Sequence, residues 1–262
     1  MSGIRVVAAL ALVAALAGGC AAKSPTVPVG MADADKFLFD KGAEAAKDRK
    51  WLNAREYLRN LVDNYPQSPY RPDAKLALGD TYISEKSTES LLLGANEFRE
   101  FLTFYPTSQR ADYAQLQLAR SHMLQMLAPE RDQSSTKDAI KEVEIFLQRF
   151  PNSGLMSEAR TMEREARDRL SEAEYKVGFY YYRVNWNPGA IDRFMDLLKA
   201  DPGFSNRDAV YYHLAECLYR TDKKAEALPY YERLLREFEK SEFLELAQKR
   251  VAELKGGVPA GK

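Results

Sequence analysis

The sequence predicts an all-α fold, a right-handed α-solenoid of about five tetratricopeptide (TPR) helix pairs. Long runs lack Gly and Pro, are rich in Ala, Leu, Glu, Arg and Lys, and place apolar residues at helical spacing. One junction design, an aromatic residue followed by Pro, a polar residue and Ser, recurs at residues 65–68, 105–108 and 150–153. Looser copies follow at residues 201–205 and 238–241. Helical segments that are separated at regular intervals by the same junction are typical of a repeat protein.

The N-terminus has the pattern of an export signal. After Arg5, a run of small apolar residues extends from Val6 to Ala17, and Gly-Gly-Cys20 follows. Such a run is too short to cross about 30 Å of hydrocarbon as a mature helix, but it suits a signal peptide. Small residues directly before Cys20 resemble a bacterial lipobox, although Leu16 stands four places before the Cys, where that motif favours Leu at three. We expect residues 1–19 to be removed and Cys20 to be lipidated; the alternative is an ordinary signal peptide with an incidental Cys20.

The stretch after Cys20 has the composition of a tether. Residues 21–33 contain two prolines, one glycine and no apolar periodicity. Fully extended, this segment would reach up to about 40 Å from a bilayer. Residue 21 is Ala rather than Asp, which by resemblance to lipoprotein sorting rules favours the outer membrane. We therefore expect a lipidated N-terminus and flexible tether over residues 20–33, and a body anchored at the periplasmic face of the outer membrane.

Three positions keep one register in five copies when they are counted back from the junction proline or its equivalent. The sets at minus 12, minus 8 and minus 5 are Ala54, Gly94, Ala139, Ala190 and Ala227; Leu58, Phe98, Val143, Phe194 and Tyr231; and Leu61, Phe101, Phe146, Leu197 and Leu234. The preceding helix carries a second small residue, at Gly42, Gly79, Ala119, Gly178 and Ala215. Small residues on two antiparallel helices permit close packing, as in the TPR of about 34 residues.

This register predicts the order of the elements. The expected helix pairs are 35–68, 70–108, 110–153, 170–205 and 207–241, with a closing helix to about Leu254. Pro ends one helix, and Ser is placed to cap the next. The spacing to Gly79 and Ala119 implies insertions of 3 and 8 residues in the turns of repeats two and three. We thus expect repeats 1–3 over 34–153, a linking helix, repeats 4–5 and a capping helix over 154–255, and a disordered tail over 256–262.

Composition excludes several classes of function. The chain has 38 Lys plus Arg against 38 Asp plus Glu, so it lacks the basic surplus that binds nucleic acid through counterion release. Its 2 Cys cannot form a disulfide framework, and its 2 His stand outside any metalloprotease, nucleophile-elbow or phosphate-loop motif. We expect no enzyme activity, no cofactor and no metal site. Cys217, close to the small Ala215, is expected to be a buried apolar thiol.

Three segments resemble the outer-membrane assembly lipoprotein family, the D component of the β-barrel assembly machine. They are residues 65–82, which join Tyr-Pro-Gln-Ser-Pro-Tyr to Ala-Lys-Leu-Ala-Leu-Gly-Asp-Thr-Tyr; residues 130–139 in the repeat-three insertion; and residues 169–181, which open repeat four. The resemblance implies a periplasmic scaffold that holds an Omp85-type barrel subunit and other assembly lipoproteins and receives unfolded outer-membrane proteins. In that family the N-terminal repeats bind a substrate targeting segment, and the C-terminal repeats dock the barrel subunit.

Candidate contact residues follow from helix register. The side chains expected to face a peptide groove, from the first helix of repeats one to three, are Lys36, Phe39, Lys47, Leu76, Asp80, Tyr113, Leu116 and Arg120. The alternative is that these residues only pack against neighbouring helices. The residues expected to dock the barrel subunit are Arg183, Arg193, Arg207 and Arg220. Guanidinium groups suit this role because they pair bidentately with carboxylates. The alternative is that these arginines are only solvated. Tyr175, Phe179 and Tyr182 share one helix face and are expected in the core.

The predicted repeats are also compatible with other functions. The same repeats would suit a lipoprotein for pilus and secretin assembly or for envelope division. A ligand-binding lipoprotein serving a transporter is disfavoured, because the sequence shows no α/β pattern.

Overall fold

A computed structural model describes residues 31–256, and all regular structure in that range is helical. The helices are α1 (Ala34–Lys47), α2 (Trp51–Asn64), α3 (Arg71–Glu85), α4 (Thr88–Phe104), α5 (Ala111–Met123), α6 (Ser134–Arg149), α7 (Met156–Arg183), α8 (Asn187–Ala200), α9 (Arg207–Arg220), α10 (Lys224–Glu237) and α11 (Leu244–Leu254). The all-α solenoid prediction is confirmed. Within the described range, none of these helices combines the length and apolar character that crossing a bilayer requires.

The chain divides into two compact units, the first ending at Thr81 and the second beginning at Tyr82. In the first unit, α1 packs against α2. In the second unit, each helix from α4 to α11 packs against the next one in sequence. The helices thus pack as the pairs α1/α2 in the first unit and α5/α6, α7/α8 and α9/α10 in the second, and α11 packs against α10 at the C-terminal end.

The repeated register forms the core of each unit. All fifteen residues at the three register positions are buried. The first unit centres on Leu38, Leu58 and Leu61, and the second has one cluster around Leu116 and Phe146 and a larger one whose buried members include Tyr175, Phe194, Tyr211, Leu214, Tyr231 and Leu234. Each such side chain contributes about 1.5–3 kcal/mol through removal from water, so the periodic apolar residues are what hold the repeats together.

Glycine in the first helix of a pair allows close helix contact. A Cβ atom built on Gly42 would lie 2.6 Å from Cγ of Leu58, and one on Gly178 would lie 2.7 Å from Cε1 of Phe194. Leu58 and Phe194 are themselves register residues with no exposed surface. The small position and the large one on its partner helix are therefore a single packing unit.

The turns within four pairs use a residue in the left-handed region: Arg49, Lys86, Asn185 and Asp222 have φ near +60°. In three of these turns the amide of the following residue donates to a carbonyl five residues earlier, from Lys50 to Ala45, Trp186 to Tyr181 and Lys223 to Leu218, each at 2.9 Å. This hydrogen bond closes the end of the first helix. Repeat three has no left-handed residue, and residues 124–133 form its turn instead, in agreement with the insertion expected there.

The prediction for repeat two is wrong in detail. The extra residues do not lengthen its turn, which consists of Lys86 and Ser87. They lengthen its helices, because α3 and α4 have 15 and 17 residues whereas α1 and α2 have 14 each. Added residues inside a helix keep their backbone groups hydrogen-bonded, whereas a longer loop would leave them to water.

The prediction that the junction serines cap the following helix is also wrong. Ser68 and Ser153 lie three residues before the first residue of α3 and α7. Their hydroxyls donate to Asp35 Oδ2 and Asp112 Oδ2, both at 2.6 Å, and accept from the amide two residues further on. Ser205 likewise donates to Asp168 at 2.7 Å. Each serine thus links a junction to an earlier first helix.

Candidate functional site

In the first compact unit, the candidate groove residues of α1 share one face, since Phe39 and Lys47 follow Lys36 by three and eleven positions. Lys36 is exposed and lies 2.7 Å from the carboxylate of Asp40. Phe39 is half-buried and stacks on Tyr70 with ring centroids 5.6 Å apart, and Lys47 is exposed. This face therefore offers two cations and the edge of one aromatic pair.

The α3 candidates of the first unit are less accessible. Leu76 is only 2% exposed, so its side chain offers no surface to a peptide. Asp80 is half-buried. On α3, peptide contact would have to come from Asp80.

In the second compact unit, Tyr113, Leu116 and Arg120 follow one face of α5. The guanidinium of Arg110 lies 4.9 Å above the ring of Tyr113. Leu116 is 2% exposed and belongs to the core cluster with Phe146. It therefore packs against neighbouring helices, which was the alternative to peptide contact. Arg120 forms an ion pair with Glu158 of α7. Tyr113 and Arg120 are the two residues of this set that retain accessible surface.

Three of the four candidate docking arginines have partners inside the chain. Arg207 donates to the carbonyl of Phe204 at 2.9 Å and lies over the ring of Phe238. Arg220 donates to the hydroxyl of Tyr182 at 2.7 Å and lies 4.2 Å from its ring centroid. Arg193 is 3.9 Å from the carboxylate of Glu174.

Arg183 differs from the other three. It is exposed near the end of α7, and within residues 31–256 it has no hydrogen bond or ion pair. Tyr180 on the same helix and Val184, the residue directly after it, are 62% and 53% exposed. Arg and Tyr are enriched among the residues that contribute most to binding energy at protein interfaces.

The aromatic run of α7 lies mainly in the core, as expected. Tyr175 is buried, and Phe179 and Tyr182 pack against the same cluster. Together with Phe194 of α8 they surround the buried imidazole of His213, whose Nδ1 lies 2.7 Å from the carbonyl of Ala209. Burial lowers the pKa of His213, although the bond to Ala209 opposes the shift. The neutral ring serves as a packing residue.

A buried ion pair joins α11 to α9. The side chain of Glu216 is 4% exposed, and its two oxygens lie 2.7 and 3.1 Å from Nε and Nη2 of Arg250. The hydroxyl of Tyr231 donates to the same carboxylate at 2.5 Å. This group was not predictable from the sequence, because the partners are 34 residues apart and charged residues on a helix are usually solvated.

Cys217 belongs to the larger core cluster of the second unit. Cys217 is fully buried, and burial raises the pKa of its thiol to about 12, so the expectation of an apolar thiol is confirmed. Cys20 lies outside the described residues. Within residues 31–256, no three or more His, Cys, Asp and Glu side chains are grouped so as to hold a metal ion.

Comparison with known proteins gives two family matches. Residues 31–217 match the family YfiO, described as outer membrane lipoprotein, and residues 209–241 match a tetratricopeptide repeat family. The first match covers more than two thirds of the chain.

The chain is also similar to several proteins named outer membrane protein assembly factor BamD. The relative from Caulobacter vibrioides is 26% identical over 79% of this chain and 68% of its own length. The relative from Vibrio cholerae is 26% identical over 63% and 71%, and that from Rickettsia prowazekii is 22% identical over 82% and 81%. The junctions at residues 65–68, 105–108, 150–153 and 201–205 fall within residues 31–217, and the chain therefore belongs to the YfiO family of outer membrane lipoproteins.

Proposed function

We propose that this protein is a lipid-anchored scaffold for the assembly of outer-membrane proteins. In this role it holds an Omp85-type barrel subunit, together with other assembly lipoproteins, and receives unfolded outer-membrane proteins at the periplasmic face. The family match over residues 31–217 carries the proposal, and the relatives named for outer membrane protein assembly support it. Stacked helix pairs suit this role, since repeat proteins bind partners over extended surfaces.

Different accessible residues are suited to substrate binding and to docking of the barrel subunit. Lys36, Lys47 and the Phe39–Tyr70 pair are available to a substrate segment on the first unit, and Tyr113 and Arg120 are available on the second. Arg183 is the docking residue that we favour, because its guanidinium is not engaged within the described residues. Arg207 and Arg220 already bind a carbonyl and a tyrosine hydroxyl, so docking through them would require exchange of those contacts.

A pull-down from solubilised membranes tests the docking role. The wild-type lipoprotein is expected to enrich the barrel subunit, and Arg183→Glu to reduce its recovery about tenfold, since reversing an interface charge costs roughly 1.4 kcal/mol or more. The matched control is Arg236→Glu on α10, whose side chain is 70% exposed and which we expect to leave recovery unchanged. Absence of the barrel subunit from the wild-type sample would refute the proposed function, whereas equal recovery with Arg183→Glu would refute only the docking residue.

Membrane attachment through Cys20 is a separate prediction. Cells fed an alkyne-tagged palmitate should label the wild-type chain, and Cys20→Ala should abolish the label, because the thiol is the attachment atom. Cys217→Ala is the control, since its buried thiol is inaccessible in the folded chain. Label that persists in Cys20→Ala would show that the anchor is elsewhere.

A further inference from the structure

The turn of repeat three exposes an apolar surface that the groove and docking candidates do not include. Met123, Leu124, Met126 and Leu127 are four large apolar residues within five positions. Leu124 and Leu127 are 43% and 42% exposed, and the two methionines are half-buried. Turns are ordinarily polar, and clustered exposed apolar side chains mark interaction sites. We refer to Leu124, Met126 and Leu127 as the insertion surface.

The insertion is fastened to α7 and to itself by polar contacts. Nη1 of Arg169 donates to the carbonyl of Leu127 at 2.9 Å, and Lys176 forms an ion pair with Glu130. Nε2 of Gln133 donates to the carbonyls of Ala128 and Arg131 at 2.9 and 3.0 Å. These bonds fix the backbone that carries the insertion surface, so a ligand would not have to order it on binding.

A groove adjoins this surface. It is a shallow, open groove of about 910 Å³ along α7 between Ser157 and Glu172, and Pro129 borders it. The charged residues that line it are three cations and three anions: Arg160, Arg164, Arg169, Glu165, Asp168 and Glu172. Arg164 and Asp168 pair with each other at 3.0 Å, so the lining has no net charge and suits a ligand that has no strong net charge either.

We propose that the insertion surface and this groove bind an extended segment of an unfolded outer-membrane protein, a second substrate contact beyond the expected groove residues. The proposal rests on the proposed function. Strands of membrane β-barrels alternate apolar and polar side chains. In an extended segment the apolar side chains would contact Leu124 and Leu127, and the polar ones would face the charged side of α7. Flexible Met and Leu side chains adapt to many sequences, as a receptor for diverse substrates requires.

The test uses the full mature lipoprotein in lipid nanodiscs and a fluorescent peptide copied from one barrel strand with strict alternation. A peptide of the same composition in shuffled order is the ligand control. We expect the alternating peptide to bind more tightly, and Leu124→Ser combined with Leu127→Ser to weaken its binding about tenfold. Leu246→Ser on α11, at an equally exposed leucine (49%), should leave the affinity unchanged.

The outcomes separate the two proposals. Equal affinity of the double variant and the wild type would overturn the inference and leave the proposed function standing. If the wild type binds neither peptide but still enriches the barrel subunit, the inference and substrate reception both fall, while docking survives. A photo-crosslinker at position 127 in cells should give adducts with newly synthesised outer-membrane proteins; adducts only with a second copy or with a folded subunit would overturn the inference.

Discussion

Arg250→Ala is expected to lower the free energy of unfolding of the second compact unit by about 3–5 kcal/mol, because it leaves the buried carboxylate of Glu216 without the guanidinium that neutralises it. The two groups meet in a bidentate contact at 2.7 and 3.1 Å. Arg250 also lies 4.3 Å from the ring centroid of Tyr219, so its loss removes packing as well as charge. Urea denaturation followed by far-UV circular dichroism measures the effect.

Two further variants identify the cause. Arg236→Ala removes an arginine whose side chain is 70% exposed, and we expect it to cost less than about 0.5 kcal/mol. Glu216→Gln combined with Arg250→Met should cost less than Arg250→Ala alone, since no charge then remains buried. If Arg250→Ala is as mild as Arg236→Ala, the ion pair does not stabilise the fold.

The same pair should make stability depend on pH. Burial disfavours ionisation of Glu216, but hydrogen bonds from Arg250 and Tyr231 outweigh it and hold the pKa of the carboxyl below its usual range. With a folded pKa below the unfolded value of about 4.3, the contribution is complete above that pH and is lost as pH falls through the folded pKa. The difference between wild type and Arg250→Ala should therefore be constant at neutral pH and shrink below about pH 4.

Gly178→Val is expected to destabilise the same unit by about 2–3 kcal/mol, because the added side chain overlaps the ring of Phe194. A Cβ alone would lie 2.7 Å from that ring, and Phe194 is enclosed by the core cluster, so it cannot move aside. Thermal unfolding measures the loss. Gly154→Ala is the control, since a Cβ there meets nothing within 4 Å.

A double-mutant cycle separates steric overlap from other effects of the substitution. Phe194→Leu creates space opposite position 178, so Gly178→Ala should cost less in its presence than in the wild-type background. Additive costs would mean that the small residue is present for some reason other than contact with Phe194.

The repeat was predictable because its constraint is local. Pro66, Pro106 and Pro151 set a register, and each register position proved buried because one helix face must meet the core. The partners of polar groups were not predictable, since tertiary structure chooses them. Ser68 was expected to cap α3, yet it lies three residues before that helix and its hydroxyl donates to Asp35, which is 33 residues away.

The candidate site was predictable only in part. Register placed Leu76 and Leu116 on the first helix of their pairs, but it did not distinguish the exposed side of that face from the buried one. The length of the repeat-three insertion was visible as a break in register. The exposure of Leu124 and Leu127 was not, because it depends on how Arg169 and Lys176 of α7 hold the turn.

The length of α7 has a consequence for folding. Its 28 residues extend over about 42 Å at 1.5 Å per residue, and the one helix supplies Ala159 and Met162 to one core cluster and Tyr175 to the next. In most repeat arrays, neighbouring units can open one at a time across their shared interface. Here the third and fourth repeats share a continuous backbone hydrogen-bond ladder. Neither can lose its structure without fraying a helix that the other needs, which merges them into a single cooperative segment.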